Sequence, residues 1–235
     1  SLLKGDEQPQ IGILYFPYGE AMSQRLARPI PDYSGWPRER MVKDLYRIKN
    51  LGVDYVVLTV DAADIQKDHT KSRYQAFFEL VSDSQFPKVA FKITSDHTLT
   101  LDERRYISNW VVQMCNSYPD AFFNFKRRCL VILPSSIKSW RQNHPALVFR
   151  FTAPSRRQWS WRVPRGDEAF ALGYQNKQAI VYAGWNSEKT GRNSWQLPRN
   201  KGRTLQHVIR KAVGRAVEII CVDSWNNFQK GSFIE

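Results

Sequence analysis

Residues 205–228, LQHVIRKAVGRAVEIICVDSWNNF, run in immediate succession through a helical pattern, a short apolar stretch and a cluster of polar and aromatic groups. LQHVIRKAVGRA (205–216) reads as an amphipathic helix, and EIICVD (218–223) as a strand. The strand is apolar throughout instead of alternating, which is the character of a strand covered on both faces in a parallel sheet. Where it stops, Asp223, Trp225, Asn226 and Asn227 are expected to meet solvent together. Polar groups gathered at the carboxyl end of a buried strand are how a barrel of alternating strands and helices presents its chemistry.

The same rhythm extends back along the chain. IGILYF (11–16), VDYVVLTV (53–60), KVAFKIT (88–94), CLVILP (129–134), ALVFRFT (146–152), AFALGYQ (169–175) and AIVYAG (179–184) are further strand candidates. Between them, 38–52 has apolar residues at Met41, Val42, Leu45, Ile48 and Leu51 and closes at Gly52, the period and stop signal of a helix. Residues 72–81 and 101–115 read as helices too. Eight apolar strands interleaved with helices predict an α/β fold of the (β/α)8 TIM-barrel type. An open doubly wound sheet is the alternative, but no GxGxxG or GxxxxGK[ST] follows any strand. The helices after strands four to six look short and nothing remains to form one after strand eight, so the expected barrel is reduced or truncated.

Length and composition bound the rest. At 235 residues, one sizeable core is expected, as a single domain over 3–234. Ser1, Leu2 and Glu235 read as additions to a piece of a longer protein, which leaves localisation open. No apolar run of membrane-spanning length appears. Cys115, Cys129 and Cys221 are far apart in sequence, without CxxC spacing, and read as core packing, with no zinc site and no disulfide framework. No metal or cofactor is expected. The formal charge of +13 admits a nucleic acid, an acidic polysaccharide or simply a basic surface. Because the basic residues are dispersed and form no recognisable module, nucleic acid is the less favoured partner.

The residues at the expected carboxyl ends are Tyr15, Tyr18 and Glu20; Asp61 and Asp64; Thr94, Asp96 and His97; Ser135 and Ser136; Arg150 and Thr152; Gln175; Trp185 and Asn186; and Asp223, Trp225, Asn226 and Asn227. Aromatics and amides in this mixture suit a sugar, whose ring faces stack on Trp or Tyr while its hydroxyls meet neutral donors and acceptors. Any single aromatic here has the competing role of filling the core.

Four segments carry a resemblance. WNNFQKGSFIE (225–235) resembles the WNEWxEGxxIEP motif of glycoside hydrolase family 99 and the related WbsX-type barrels, with Trp225, Asn226, Gly231, Ile234 and Glu235 matching and Phe228 in place of Trp. YAGWNSEKTGR (182–192) is similar to the GWDxTPR segment of the same proteins, with Asn186 in place of Asp. AFFNFKRRCLVILP (121–134) and ILYFPY (13–18) are similar to their YxxxxGKPVLxxY strand and opening YYPW. The resemblance implies a (β/α)8 barrel acting on carbohydrate, with a catalytic pair of glutamates in the terminal motif.

Those two positions hold Asn227 and Lys230 here. Glycoside hydrolysis needs two carboxyl groups in different protonation states. An amide can neither donate the proton nor act as the base, and a lysine, with an ordinary pKa of about 10.4, is a poor acid for a glycosidic oxygen. Three readings stay open. One is a carbohydrate-binding domain without turnover, its ligand held by Tyr15, Tyr18, Trp185, Asn186, Trp225, Asn226, Asn227 and Lys230. Another is an active glycosidase or glycosyltransferase using Asp61, Asp96 and Asp223 as reserve acids. The third is a basic polyanion- or nucleic-acid-binding module. Lys230, with Lys138, Arg150 and Arg192, would favour an anionic sugar.

Overall fold

The computed structural model describes residues 8–15, 37–95, 97–134, 145–152, 170–173, 177–186, 196–227 and 232–233. In chain order the elements are β1 (Gln10–Tyr15), α1 (Arg38–Asn50), β2 (Tyr55–Asp61), α2 (Ala62–Ile65), α3 (Asp68–Val81), β3 (Lys88–Thr94), α4 (Leu101–Ser117), β4 (Asn124–Phe125), β5 (Arg128–Pro134), β6 (Leu147–Thr152) and β7 (Phe170–Gly173). They continue with β8 (Gln178–Tyr182), β9 (Trp185–Asn186), β10 (Gln196–Leu197), a 3-10 turn (Asn200–Gly202), α5 (Arg203–Val213), β11 (Ile219–Asp223), β12 (Asn226–Asn227) and β13 (Ser232–Phe233). This is a mixed α/β fold whose described residues fall into two compact units, one holding β1 with residues 170–233 and the other residues 37–152.

In the second unit β2, β3, β5 and β6 lie side by side, each pair parallel, with β4 folded back antiparallel on β5. Tyr55 to Leu58, Val89 to Phe91 and Leu130 to Leu133 are all buried, as strands covered on both faces require. Helices α1, α3 and α4 bury Leu45 and Ile48, Phe77 and Phe78, and Trp110 and Met114. Phe78, Phe91, Trp110 and Phe122 form one aromatic cluster, the Phe91 ring 5.4 Å from Phe78 and from Trp110 and 5.0 Å from Phe122. Ring pairs at such separations contribute about 0.5–1.5 kcal/mol each beyond the area they bury.

In the first unit β1, β11 and β8 are parallel neighbours, with Ile13 opposite Val222 and Asp223 opposite Tyr182. Every residue of β8 and β11 is buried, and α5 packs against β8.

All eight strands expected from sequence form, within two residues at each end. One expectation is corrected: β7, the sixth of them, runs antiparallel to β8, so the eight are not all parallel. Only residues 174–177 join the two strands, and a parallel pair needs a crossover of a dozen residues or more. A hairpin is the one connection that spacing permits.

Candidate functional site

The carboxyl end of the first unit is built by register. Asp223 ends β11 opposite Tyr182, which ends β8, and β1 ends beside them at Tyr15. The chain leaving β11 is fixed by a hydrogen bond from the Trp225 backbone N–H to the Leu14 carbonyl, 2.8 Å. Tyr15, Tyr182, Asp223, Ser224 and Trp225 are all buried here, Trp225 to 3% exposure. Among the described residues its indole Nε1 has no hydrogen-bond acceptor. Buried donors of this kind normally have a partner.

Two short hairpins leave the same end. β9 follows β8 and pairs with β10, with Asn186 opposite Gln196 and Trp185 opposite Leu197. β12 follows β11 and pairs with β13, with Asn226 opposite Phe233 and Asn227 opposite Ser232. Because β8 and β11 are parallel neighbours, the Trp185–Asn186 and Asn226–Asn227 segments emerge from adjacent strands. Tyr18, Asp96 and Lys230 lie outside the described residues, as do Glu20, Lys138 and Arg192.

The second unit presents a separate group at the ends of β2 and β3, where Asp61 lies opposite Thr94. Asp61 is the N-cap of α2, its Oδ1 accepting from the Ala63 N–H at 2.9 Å. Asp64 pairs with Lys67 at 3.1 Å. The Tyr74 phenol is pushed far up from its ordinary pKa, by burial first and then by the charges of Asp64 and Asp61. A tyrosine in this setting stays protonated.

Beyond β3, Ser95, His97, Thr100 and Glu103 organise the start of α4. Glu103 and Thr100 form a reciprocal capping box, and His97 Nε2 lies 3.0 Å from Glu103 Oε1. Hydrogen bonding to the Thr100 N–H, followed by that to His97, holds the Glu103 carboxyl down to about 2. It is ionised at neutral pH and committed to the helix. Among the described residues no group of His, Cys, Asp and Glu is arranged to hold a metal ion.

Sequence reasoning passed over Tyr182, Ser224 and Tyr74. Tyr182 and Ser224 sit beside recognised strand ends and could have been read from them. Tyr74 lies inside a helix, where nothing in the sequence marks its nearness to two aspartates.

The fold is that of known glycosidases. A GH99 endo-α-mannosidase from Bacteroides thetaiotaomicron superposes with a TM-score of 0.72 in its complex with bis-tris propane, at 12% identity over 96% of this chain and 86% of that one. A second structure of a GH99 endo-α-mannosidase from the same organism gives 0.71, at 12% identity over 96% and 87%. A glycoside hydrolase-like protein gives 0.66, at 13% identity over 97% and 87%. No family model matches the sequence, and no curated protein does. At these identities the likeness is one of fold, which by itself does not assign a function.

Proposed function

We propose that residues 3–234 form one carbohydrate-binding domain of the family 99 glycosidase type, taking a poly- or oligosaccharide at the carboxyl ends of its strands without hydrolysing it. The fold shared over nearly the whole chain with GH99 endo-α-mannosidases is the observation that carries this reading. The carboxyl end of the first unit supports it with a buried indole N–H that has no acceptor among the described residues and to which a ligand hydroxyl would supply one. Tyr15, Tyr18, Trp185, Asn186, Trp225, Asn226, Asn227 and Lys230 are the residues assigned to the ligand. Absence of turnover follows from Asn227 and Lys230 at the positions where the resembling motif carries glutamates.

Calorimetric titration with neutral and anionic oligosaccharides, α-mannosides included, tests the proposal. Trp185→Ala should abolish binding, with little dependence on salt. Clear turnover of a glycoside by the parent chain, lost in Asp61→Asn, Asp96→Asn or Asp223→Asn, would establish instead an enzyme that uses the reserve acids.

A specific feature favours a second reading, binding of a polyanion. Arg203, His207 and Arg210 recur at i, i+4 and i+7 on α5 and are exposed, with Lys211 beside them. No acidic residue lies on this helix. If this face binds the ligand, heparin affinity should fall steeply between low and physiological salt and drop further in Arg203→Gln/Arg210→Gln, while Trp185→Ala leaves it unchanged.

A further inference from the structure

Lys92 interrupts the apolar run of β3, and register fixes what surrounds it. β2 and β3 are parallel, with Thr59 opposite Lys92 and Asp61 opposite Thr94, so these four side chains share one face of the sheet. The alternate face carries Val60, Phe91 and Ile93. It is the helix side, because the Phe91 ring lies 5.4 Å from Phe78 of α3 and from Trp110 of α4. Thr59, Asp61, Lys92 and Thr94 therefore lie on the face turned away from those helices. Burial changes along that face. Nearer the amino ends, Tyr55, Val57 and Ala90 are at 0% exposure. From Thr59 and Lys92 upward all four polar residues are half-buried. An apolar floor thus gives way to a polar recess at the carboxyl ends of β2 and β3.

Each group in the recess has a defined hydrogen-bonding capacity. Asp61 is an acceptor held in place by the Ala63 N–H on its Oδ1, 2.9 Å. Thr94 Oγ1 donates to the Val60 carbonyl at 3.4 Å and, as a hydroxyl, can still accept. Lys92 brings donors and no acceptor. Thr59 Oγ1 is buried with no hydrogen-bond partner among the described residues, a situation in which such atoms are normally paired. Arg150 shares the row through Ile132 of β5 but is engaged elsewhere. Its guanidinium lies 5.4 Å from the centre of the Phe125 ring, and Nη1 donates to the Phe149 carbonyl at 2.9 Å.

We infer that Thr59, Asp61, Lys92 and Thr94 bind a neutral sugar unit through two adjacent ring hydroxyls. This rests on the carbohydrate reading proposed above, and it gives the second unit a binding role of its own. One hydroxyl donates to Asp61 and accepts from Lys92; its neighbour accepts from Lys92 and donates to a threonine oxygen. A hydroxyl is donor and acceptor at once, which is what a carboxylate and an ammonium on neighbouring strands can use together. Both contacts are charge-assisted and so are the strong kind. The formal charges of Asp61 and Lys92 cancel, so an acidic substituent gains no net attraction here and meets a carboxylate. The recess therefore selects a neutral sugar over a uronic acid.

Methyl α-mannoside, and the methyl glycoside of mannuronic acid as its anionic counterpart, are titrated into the whole chain and followed by ligand-observed NMR. The parent should bind the neutral probe more tightly than the anionic one. Lys92→Met keeps the length of the side chain and removes the cation, and it should weaken the neutral probe about tenfold or more, as loss of a hydrogen bond to a charged group does. Thr59→Val keeps the shape and should weaken it about threefold or more, with the thermal midpoint near that of the parent. Parent-like affinity in Lys92→Met, or tighter binding of the anionic probe, would overturn this inference alone, and Trp185→Ala would still test the wider reading. Binding of neither probe nor of longer mannosides would overturn both. Should Lys92→Met fail to fold, unchanged affinity in Thr59→Val overturns the inference instead.

Discussion

The backbone N–H of Trp225 donates to the Leu14 carbonyl at 2.8 Å, so the segment that follows β11 is held against the end of β1 by the main chain. The side chain of Trp225 therefore does not have to position the loop. Its contribution is volume, at 3% exposure, and an indole N–H with no acceptor among the described residues. Trp225→Phe keeps most of the volume and removes a buried donor that has no acceptor among the described residues, an arrangement that costs about 1–3 kcal/mol. Its thermal midpoint should stay near that of the parent while oligosaccharide affinity falls. Trp225→Ala empties the site and should lose about 3–5 kcal/mol of stability in denaturant titration. Equal affinity in the parent and Trp225→Phe would remove the indole N–H from the ligand site.

The strands were legible because each is a near-continuous apolar run, and a run buried on both faces needs no phase to be recognised. Their ends were legible for the same reason: Tyr15, Asp61 and Asp223 stand where those runs stop. The direction of β7 could have been read from the four residues that link it to β8, but an expectation of regular alternation overrode the connection length. Other features depend on contacts between distant residues, which periodicity does not encode. The burial of Tyr15, at the very end of its strand, is of this kind. The closeness of Tyr74 to Asp61 and Asp64 belongs with it.

Helix α1 shows the same limit locally. Its apolar period marks Met41, Leu45 and Ile48 as core, yet Arg40 and Asp44 are buried beside them as an ion pair of 3.1 Å, their side chains 1% and 0% exposed. A helical wheel assigns such charges to solvent. Arg40→Ala removes the cation of a buried ion pair and should destabilise by about 3–5 kcal/mol, as should Asp44→Ala. Arg40→Met combined with Asp44→Leu should recover most of that loss, because an apolar pair replaces two desolvated charges. Chemical denaturation of the four proteins measures this; a double variant no better than the singles would refute it.

Glu103 fixes a pH dependence. Its folded carboxyl titrates near about 2, against 4.5 for the ordinary group. A depressed pKa means that the capping interaction is fully present above the unfolded value and is lost as pH falls through the folded one. Stability should therefore decline between about pH 4.5 and about pH 2. Glu103→Gln keeps a side chain able to accept from Thr100 but has no such titration, so the difference in thermal midpoint between it and the parent should shrink across that window. A constant difference from pH 6 to pH 2 would show that the box makes no charge-dependent contribution.

The sharpest test concerns Asn227 and Lys230. Asn227 lies on the two-residue strand β12, opposite Ser232 of β13, in the segment that resembles the glutamate-bearing motif of family 99. With an amide and an amine at those positions, hydrolysis of aryl α- and β-glycosides by the parent should not rise above background, since each missing acid or base forgoes roughly 10²–10⁴-fold of rate. Asn227→Glu with Lys230→Glu restores both carboxyls at the motif spacing and should produce trace turnover if the sugar pocket is retained. Asp61→Asn provides the control, because asparagine still accepts the Ala63 N–H and so keeps α2 capped. Turnover by the parent that disappears in Asp61→Asn, with the fold intact by circular dichroism, would mean that the acids of this protein lie on other strands and that it is an enzyme.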